Sequence, residues 1–128
     1  MMVRLINDDR QTSNSLETNI TVRINGERVE VNADPMTRLN VLLRENLGQT
    51  GTKTGCDAGD CGACSVLVDG EIVCSCMVPS GRMNGAEIIT VEGLGRCDTT
   101  ARLQRAFHHY GAAQCGICTP GMLLSASA

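Results

Sequence analysis

The feature that most constrains this chain is a glycine-rich run in which three cysteines stand close together. Residues 55–64 read Gly-Cys-Asp-Ala-Gly-Asp-Cys-Gly-Ala-Cys, so Cys56, Cys61 and Cys64 follow a C-x4-C-x2-C spacing. Three thiolates in one loop are able to wrap a small iron–sulfur cluster, and a fourth from the following segment completes the ligand set. The loop glycines permit positive φ and let backbone N–H groups approach the cluster sulfurs. The spacing therefore predicts a 2Fe–2S site.

The spacing leaves the fourth ligand open. Cys74 and Cys76 both follow the loop, and they lie two residues apart. On a strand they would face the same side, so the pattern does not choose between them. A zinc site is the alternative to a cluster, but zinc usually takes two short pairs of ligands around one ion. The x4 and x2 gaps within a single loop favour the cluster.

Composition narrows the class of protein. The chain has 128 residues, eight cysteines and a net charge of −3, with Phe107 and Tyr110 as its only aromatic residues. No apolar run reaches transmembrane length, and residues 1–19 lack the features of a secretory signal. We therefore expect a soluble, cytoplasmic protein with reduced thiols, which argues against a disulfide framework. Scattered basic residues and few aromatic ones argue against a nucleic-acid binder.

In its N-terminal two thirds, the sequence predicts a flexible tail, residues 1–17, followed by a strand-rich domain, residues 18–92. Alternating apolar residues flank Asn25-Gly26 and again Asp69-Gly70, both of which are hairpin-turn signals. Between the hairpins, residues 37–46 predict a helix with Thr37 as its N-cap.

Further elements follow the second hairpin, whose second strand is predicted at residues 71–76. Residues 86–91 predict another strand, and residues 92–96 a linker.

The last third predicts helices. Its first helix ends at Gly111 and carries apolar residues at helical spacing: Leu103, Ala106, Phe107 and Tyr110. Thr119-Pro120 predicts the N-cap and first residue of a second helix, in which Met122, Leu123 and Leu124 would form core. Cys115-Gly116-Ile117-Cys118 lies between them. By itself this C-x-x-C fits a redox dithiol, half a zinc site or half a cluster site.

Both cysteine constellations carry a resemblance to a known family. Residues 50–70, T-G-T-K-T-G-C-D-A-G-D-C-G-A-C-S-V-L-V-D-G, resemble the ferredoxin-like domain of the xanthine oxidase family of molybdenum hydroxylases. The same cysteine spacing is also similar to that of succinate dehydrogenase iron–sulfur subunits. Residues 114–122, Q-C-G-I-C-T-P-G-M, resemble the signature that opens the helical domain of molybdenum hydroxylases, and this second match separates the two families.

The resemblance implies an α+β fold: a β-grasp, plant-type ferredoxin-like domain at residues 18–92 and an incomplete helical domain, a four-helix bundle in the family, at residues 93–128. It makes Cys76 the fourth ligand beside the three loop cysteines, and Cys74 a non-ligand. Cys115 and Cys118 would supply half the ligands of a second 2Fe–2S cluster, whose other two do not occur in this sequence. We interpret the sequence as a fragment of a longer subunit; the alternative is that the second cluster is missing.

The resemblance also implies a role. Electrons would pass from a molybdopterin-binding large subunit through both clusters to FAD on a medium subunit, with Gln114 near the pterin. We expect no catalytic centre on this chain, and the substrate is left open. The alternatives are a stand-alone ferredoxin, a respiratory iron–sulfur subunit and a zinc-binding module.

Other residues have simpler interpretations. His108-His109 are expected at the surface or an interface, because adjacent helical residues point about 100° apart and do not chelate together. Cys74 and Cys97 are expected to be buried or half-buried thiols, and Asp57 and Asp60 loop acids.

Overall fold

One mixed sheet organises the ferredoxin-like part. The computed structural model describes residues 16–128, so nearly all of the expected tail, residues 1–17, lies outside the described residues. The strands are β1 (Thr18–Ile24), β2 (Glu27–Ala33), β3 (Ser65–Val68), β4 (Glu71–Cys74) and β5 (Glu87–Ile89). Their order is β2-β1-β5-β3-β4, with β1 and β5 parallel and the other neighbours antiparallel. This mixed sheet, together with a helix packed on it, confirms the predicted fold class.

Both predicted hairpin turns are present. Asn25 and Gly26 have φ of 50° and 89°, and Asp69 and Gly70 have φ of 50° and 87°. Two consecutive positive φ values define the tight turns that match the twist of antiparallel strands. Asn, Asp and Gly tolerate this conformation best, so the local sequence is enough to place the turns.

A short helix covers the inner face of the sheet. Helix α1 (Leu39–Val41) continues as a π-helical turn, Leu42–Asn46. Three leucines, Leu39, Leu42 and Leu43, are fully buried against the inward residues of β1. This core fixes where the chain leaves the helix, and so where the cysteine loop begins.

The predicted N-cap of α1 is wrong. Arg38 occupies that position in an extended conformation, without a side-chain cap, and Thr37 precedes it. The Leu39 N–H instead donates to the Val78 carbonyl at 2.8 Å, from a distant segment. A tertiary partner therefore satisfies a helix N–H that Thr37 was expected to cap.

The prediction for residues 71–76 needs a second correction. Strand β4 ends at Cys74, and Ser75–Met77 forms a 3₁₀ turn, so Cys74 and Cys76 do not share a strand face. The Ser75 hydroxyl donates to the Cys64 carbonyl at 2.6 Å, and the Ser75 N–H to the same oxygen at 3.3 Å. These bonds turn the chain out of the strand and toward the cysteine loop.

Two neighbouring segments also differ from the prediction. The last strand is only three residues long, and the expected linker is a 3₁₀ helix, Val91–Arg96, in which Leu94 is buried. Leu94 packs with Leu67 of β3, which explains why the segment is ordered rather than free.

Helices α2 (Asp98–His109) and α3 (Thr119–Ser127) follow. Leu123 and Leu124 of α3 are buried against the sheet, and Leu103 and Phe107 of α2 are partly buried beside them. Gly111 has φ of 61°, as expected for a helix end.

Two expectations for the helices were wrong. Met122, expected in the core, is 48% exposed. Ala106 and Tyr110, which belong to the apolar pattern of α2, are exposed as well, Tyr110 to 80%. Cys118 occupies the N-cap position of α3, which makes Thr119 its first helical residue. No residue of α2 is fully buried, because only one side of that helix meets the rest of the described chain. None of the helices in residues 16–128 has the length and apolar character needed to cross a membrane.

Candidate metal centre

Polar contacts from α1 and its continuation hold the first part of the cysteine loop. The Arg44 guanidinium donates to the carbonyls of Thr50 and Thr52, each at 2.9 Å. The Lys53 ammonium donates to the Thr50 carbonyl at 2.8 Å. These bonds satisfy carbonyl groups of a segment that has no regular secondary structure, and they fix its path toward the first cysteine.

A second set of contacts anchors the loop just beyond Cys56. Arg38 forms an ion pair with the Asp57 carboxylate and donates to its carbonyl at 3.2 Å. The Asn40 side chain is 1% exposed and donates to the Thr54 hydroxyl at 3.0 Å and to the Asp57 carboxylate at 3.3 Å. Asp57 has φ of 56°, so these bonds stabilise a backbone turn that L-residues rarely adopt. Asp57 is therefore a structural loop acid, as expected.

The loop directs backbone N–H groups at cysteine sulfurs. Cys56 Sγ accepts from the N–H groups of Ala58, Asp60 and Cys61 at 3.4, 3.2 and 3.3 Å. Cys61 Sγ accepts from those of Cys56 and Ala63 at 3.3 and 3.4 Å. The first two cysteines thus face one curled stretch of backbone.

The other two sulfurs receive one N–H each. Gly59 donates to Cys76 Sγ at 3.3 Å, and Cys76 donates to Cys64 Sγ at 3.4 Å. Cys64 and Cys76 are 3% and 2% exposed, whereas Cys56 and Cys61 are exposed. The site therefore has a buried pair and an outer pair of thiols.

The backbone donors and burial act on the thiol pKa values in opposite directions. The N–H groups of Cys61, Ala58 and Asp60 lower the pKa of Cys56 to about 7. Burial raises the pKa of Cys76 to about 11, and the hydrogen bond with Cys64 adds to the increase. Metal coordination removes such protons, since the thiolate is the ligand and the metal supplies the positive charge.

The four thiols fit a binuclear cluster. Backbone hydrogen bonds associate them as two pairs, because the Cys61 N–H donates to Cys56 Sγ and the Cys76 N–H to Cys64 Sγ. A 2Fe–2S cluster takes four cysteine thiolates, two on each iron. The paired arrangement of the four thiols suits such a cluster.

Cys74 lies beside this site without sharing its N–H donors. It is half-buried, and its S–H donates to the Gly59 carbonyl at 3.8 Å. Burial raises the pKa of this thiol, and Cys64 raises it further, so the two sulfurs are neighbours. The structure thus brings a fifth thiol to the site. In the sequence, only the family resemblance distinguished Cys74 from the four proposed ligands.

The second constellation lies next to the first. Cys115 and Cys118 are both exposed and belong to the segment between α2 and α3. Cys118 shares with Cys61 the lining of a groove of about 340 Å³. Cys115 lines a different cleft of about 380 Å³ with the cationic side chains of Arg44 and Lys53. Gln114 is exposed in the same segment.

A glycine contact that sequence reasoning missed joins the two regions. Gly121 of α3 is buried, and a Cβ placed on it would overlap the carbonyl oxygen of Gly62 and lie 3.3 Å from Ala63 Cα. Only glycine lets the backbone of α3 approach the cysteine loop this closely. The available signal was the glycine in the Thr-Pro-Gly-Met run.

The remaining candidates lie at the surface. Cys97 is exposed, contrary to expectation, because it precedes α2 outside the core. The backbone N–H groups of Thr99 and Thr100 lower the pKa of its thiol. His108 and His109 are exposed at the surface, which was one of the two locations expected for them.

Comparisons with known proteins agree with this geometry. Residues 22–94 match a family model described as 2Fe-2S iron-sulfur cluster binding domain, and residues 90–128 match one described as 2Fe-2S binding domain. The small FeS subunit of nicotinate dehydrogenase from Eubacterium barkeri is 43% identical over 109 residues, 85% of this chain and 69% of the relative. A nicotinate dehydrogenase subunit from Pseudomonas putida is 43% identical over 113 residues, 88% of this chain and 72% of that relative.

The fold comparison gives the same answer. Quinoline 2-oxidoreductase from Pseudomonas putida 86 superposes with a TM-score of 0.79 at 40% identity, covering 86% of this chain and 68% of that one. The identity, the coverage and the two consecutive domain matches confirm the resemblance seen in the sequence. The chain belongs to the 2Fe–2S iron–sulfur subunits of the molybdenum hydroxylase family.

Proposed function

We propose that this chain carries electrons in a molybdenum hydroxylase, with its first 2Fe–2S cluster held by Cys56, Cys61, Cys64 and Cys76. The observation that carries the assignment is the network of seven backbone N–H groups that point at these four sulfurs. When bound, the cluster accepts and releases one electron at a time. N–H groups directed at the sulfurs stabilise the added negative charge and so raise the reduction potential.

The choice of Cys76 over Cys74 rests on three features of the site. Cys76 is buried, donates its backbone N–H to Cys64 Sγ, and accepts the Gly59 N–H. Cys74 instead directs its sulfur at an acceptor, the Gly59 carbonyl, at 3.8 Å.

The proposed relay has a second cluster at the helical end. Cys115 and Cys118 would supply two of its ligands, and in the family the other two come from a C-x-C farther along the chain. Electrons would enter from molybdopterin on a large subunit, with Gln114 near the pterin, and leave to FAD on a medium subunit. The groove lined by both Cys61 and Cys118 supports direct transfer between the two proposed sites, because one residue of each faces it. The domain limits, residues 18–92 and 93–128, the absence of a catalytic centre here and a cytoplasmic location belong to the same proposal.

The ligand assignment is tested by a pair of cysteine variants. Cys76→Ser is expected to lose the all-cysteine spectrum of the first cluster, while Cys74→Ser keeps it. Visible absorption, low-temperature EPR of the reduced protein, and iron and labile-sulfide counts make the comparison. Loss of the cluster in the Cys74 variant, with retention in the Cys76 variant, would reverse the assignment.

The relay is tested in the native complex that contains this subunit. We expect two distinct 2Fe–2S signals by EPR after reduction, together with molybdenum in the purified protein. A single signal would leave the Cys115–Cys118 half-site without a cluster and remove the proposed first step. Purification without a molybdenum-containing partner would favour a stand-alone ferredoxin.

A further inference from the structure

Cys74 contacts the peptide group that serves the first cysteine of the cluster site. Its S–H donates to the Gly59 carbonyl at 3.8 Å. The N–H of that same peptide belongs to Asp60 and donates to Cys56 Sγ at 3.2 Å. One peptide unit therefore connects the fifth thiol to a proposed cluster ligand.

The preceding peptide group, which supplies the N–H of Gly59, also bonds to a cysteine sulfur. The Gly59 N–H donates to Cys76 Sγ at 3.3 Å, so the two peptide groups that meet at Gly59 serve two different cysteines. A tilt of Gly59 would disturb hydrogen bonds to both halves of the ligand set.

No side chain of its own holds Gly59 in place. Its φ of +74° lies in a region where glycine is unrestrained, and it has no side chain to pack. On one side Met77 is so close that a Cβ on Gly59 would lie 2.8 Å from Met77 Cγ. Hydrogen bonds therefore help to set the orientation of the Gly59–Asp60 peptide, and among residues 16–128 Cys74 provides the one that reaches its carbonyl oxygen.

We propose that Cys74 is a positioning residue for the first cluster, holding the Gly59–Asp60 peptide so that its N–H points at Cys56 and the reduction potential stays high. This rests on the proposed function, because it presupposes a cluster on the four assigned cysteines. A hydrogen bond to the carbonyl also polarises the amide, which strengthens the bond that its N–H donates. Since N–H···S bonds favour the reduced cluster, loss of the thiol donor makes the cluster harder to reduce.

Three substitutions of Cys74 and one control elsewhere separate the hydrogen bond from packing. Cys74→Val removes the donor but fills the space, and valine suits the end of strand β4. Cys74→Ser keeps a donor of similar placement. Cys97→Ser changes an exposed cysteine outside the site and serves as the control. Cys74→Ala removes the same donor with a smaller side chain, and gives the same test if valine prevents assembly.

The readout is the midpoint potential of the first cluster, measured by EPR-monitored redox titration of the complex. We expect a more negative potential in Cys74→Val and Cys74→Ala, a value near that of the unsubstituted protein in Cys74→Ser, and no change in Cys97→Ser. Iron and labile-sulfide counts should stay the same in all four variants.

The possible failures are distinct. An unchanged potential in Cys74→Val and Cys74→Ala would overturn the positioning role and leave the proposed function intact, as would equal shifts in the serine and valine variants. Loss of the cluster in Cys74→Ser, with retention in Cys76→Ser, would overturn the ligand assignment itself. Absence of any 2Fe–2S signal in the unsubstituted protein would remove the proposed function and the inference together.

Discussion

Replacing Gly121 with alanine is expected to loosen the packing of helix α3 against the cysteine loop. The added methyl group would overlap the Gly62 carbonyl oxygen, which is backbone and has no rotamer to change. The helix or the loop must therefore move, by about 1 Å if ordinary van der Waals separation is to be restored. Leu123 and Leu124 lie on the same helix and would be drawn from their buried positions.

The size of the effect follows from that displacement. A gap approaching 1 Å forfeits roughly a quarter to a half of the dispersion energy of a buried contact, and a fully buried leucine contributes about 1.5–3 kcal/mol. Replacing glycine by alanine in a helix interior typically stabilises the helix by ~1 kcal/mol. The stabilisation is smaller here, since residue 121 lies in the first turn of α3. The expected net loss of stability is about 1–2 kcal/mol, or a decrease in Tm of roughly 3–10 °C.

Thermal unfolding of the cluster-loaded protein measures the loss, and hydrogen exchange of the α3 amides locates it. The matched control is Ser125→Ala, an exposed position on the same helix, where a change within about 0.5 kcal/mol is expected. If Gly121→Ala matched or exceeded the unsubstituted protein in Tm, with equal protection of the α3 amides, close backbone packing would not explain the glycine.

Three further results are expected from the site and its turns. Gly59→Ala should lower the iron and labile-sulfide content of the protein. Gly70→Ala is the control and should leave both unchanged, because Gly70 also has positive φ but a Cβ on it would meet no atom within 4 Å. Equal losses in the two variants would contradict a role specific to the cysteine loop. Asn25→Ala should lower the free energy of unfolding, measured by urea denaturation, by about 2–4 kcal/mol. The substitution removes two side-chain hydrogen bonds with Thr90, at 2.9 Å each, and alanine is strained at φ 50°. A change below about 1 kcal/mol would contradict this reasoning. In the cluster-free chain, the rate of Cys56 alkylation should increase as pH rises through about 7, because the thiolate forms above the pKa of the thiol. A midpoint of the rate–pH curve near 9.0 would show that the N–H donors have no effect.

Much of the fold followed from local sequence. Positive φ at Asn25-Gly26 and Asp69-Gly70 is a property of those residues, so the hairpin turns were placed correctly. The helical periods near the C-terminus were also correct in position, within a few residues. The burial of individual helix residues did not follow from the sequence: Tyr110 is exposed although it belongs to an apolar helical pattern, and Met122 is exposed although it lies in an apolar run. Periodicity identifies an apolar face, but only the neighbouring elements determine how much of it is buried.

The sequence by itself determined the kind of metal site and the family, because a C-x4-C-x2-C loop and a Q-C-G-x-C-T-P-G-M run are local patterns. By sequence, Cys74 and Cys76 differed only through the family resemblance. Only the tertiary structure shows their different surroundings, since the strand ends between them where Ser75 bonds to Cys64. The same is true of the contact between Gly121 and Gly62, which are 59 positions apart in the numbering of the chain. Hydrogen bonds and close packing between distant segments depend on the folded path of the backbone, and no local pattern contains that path.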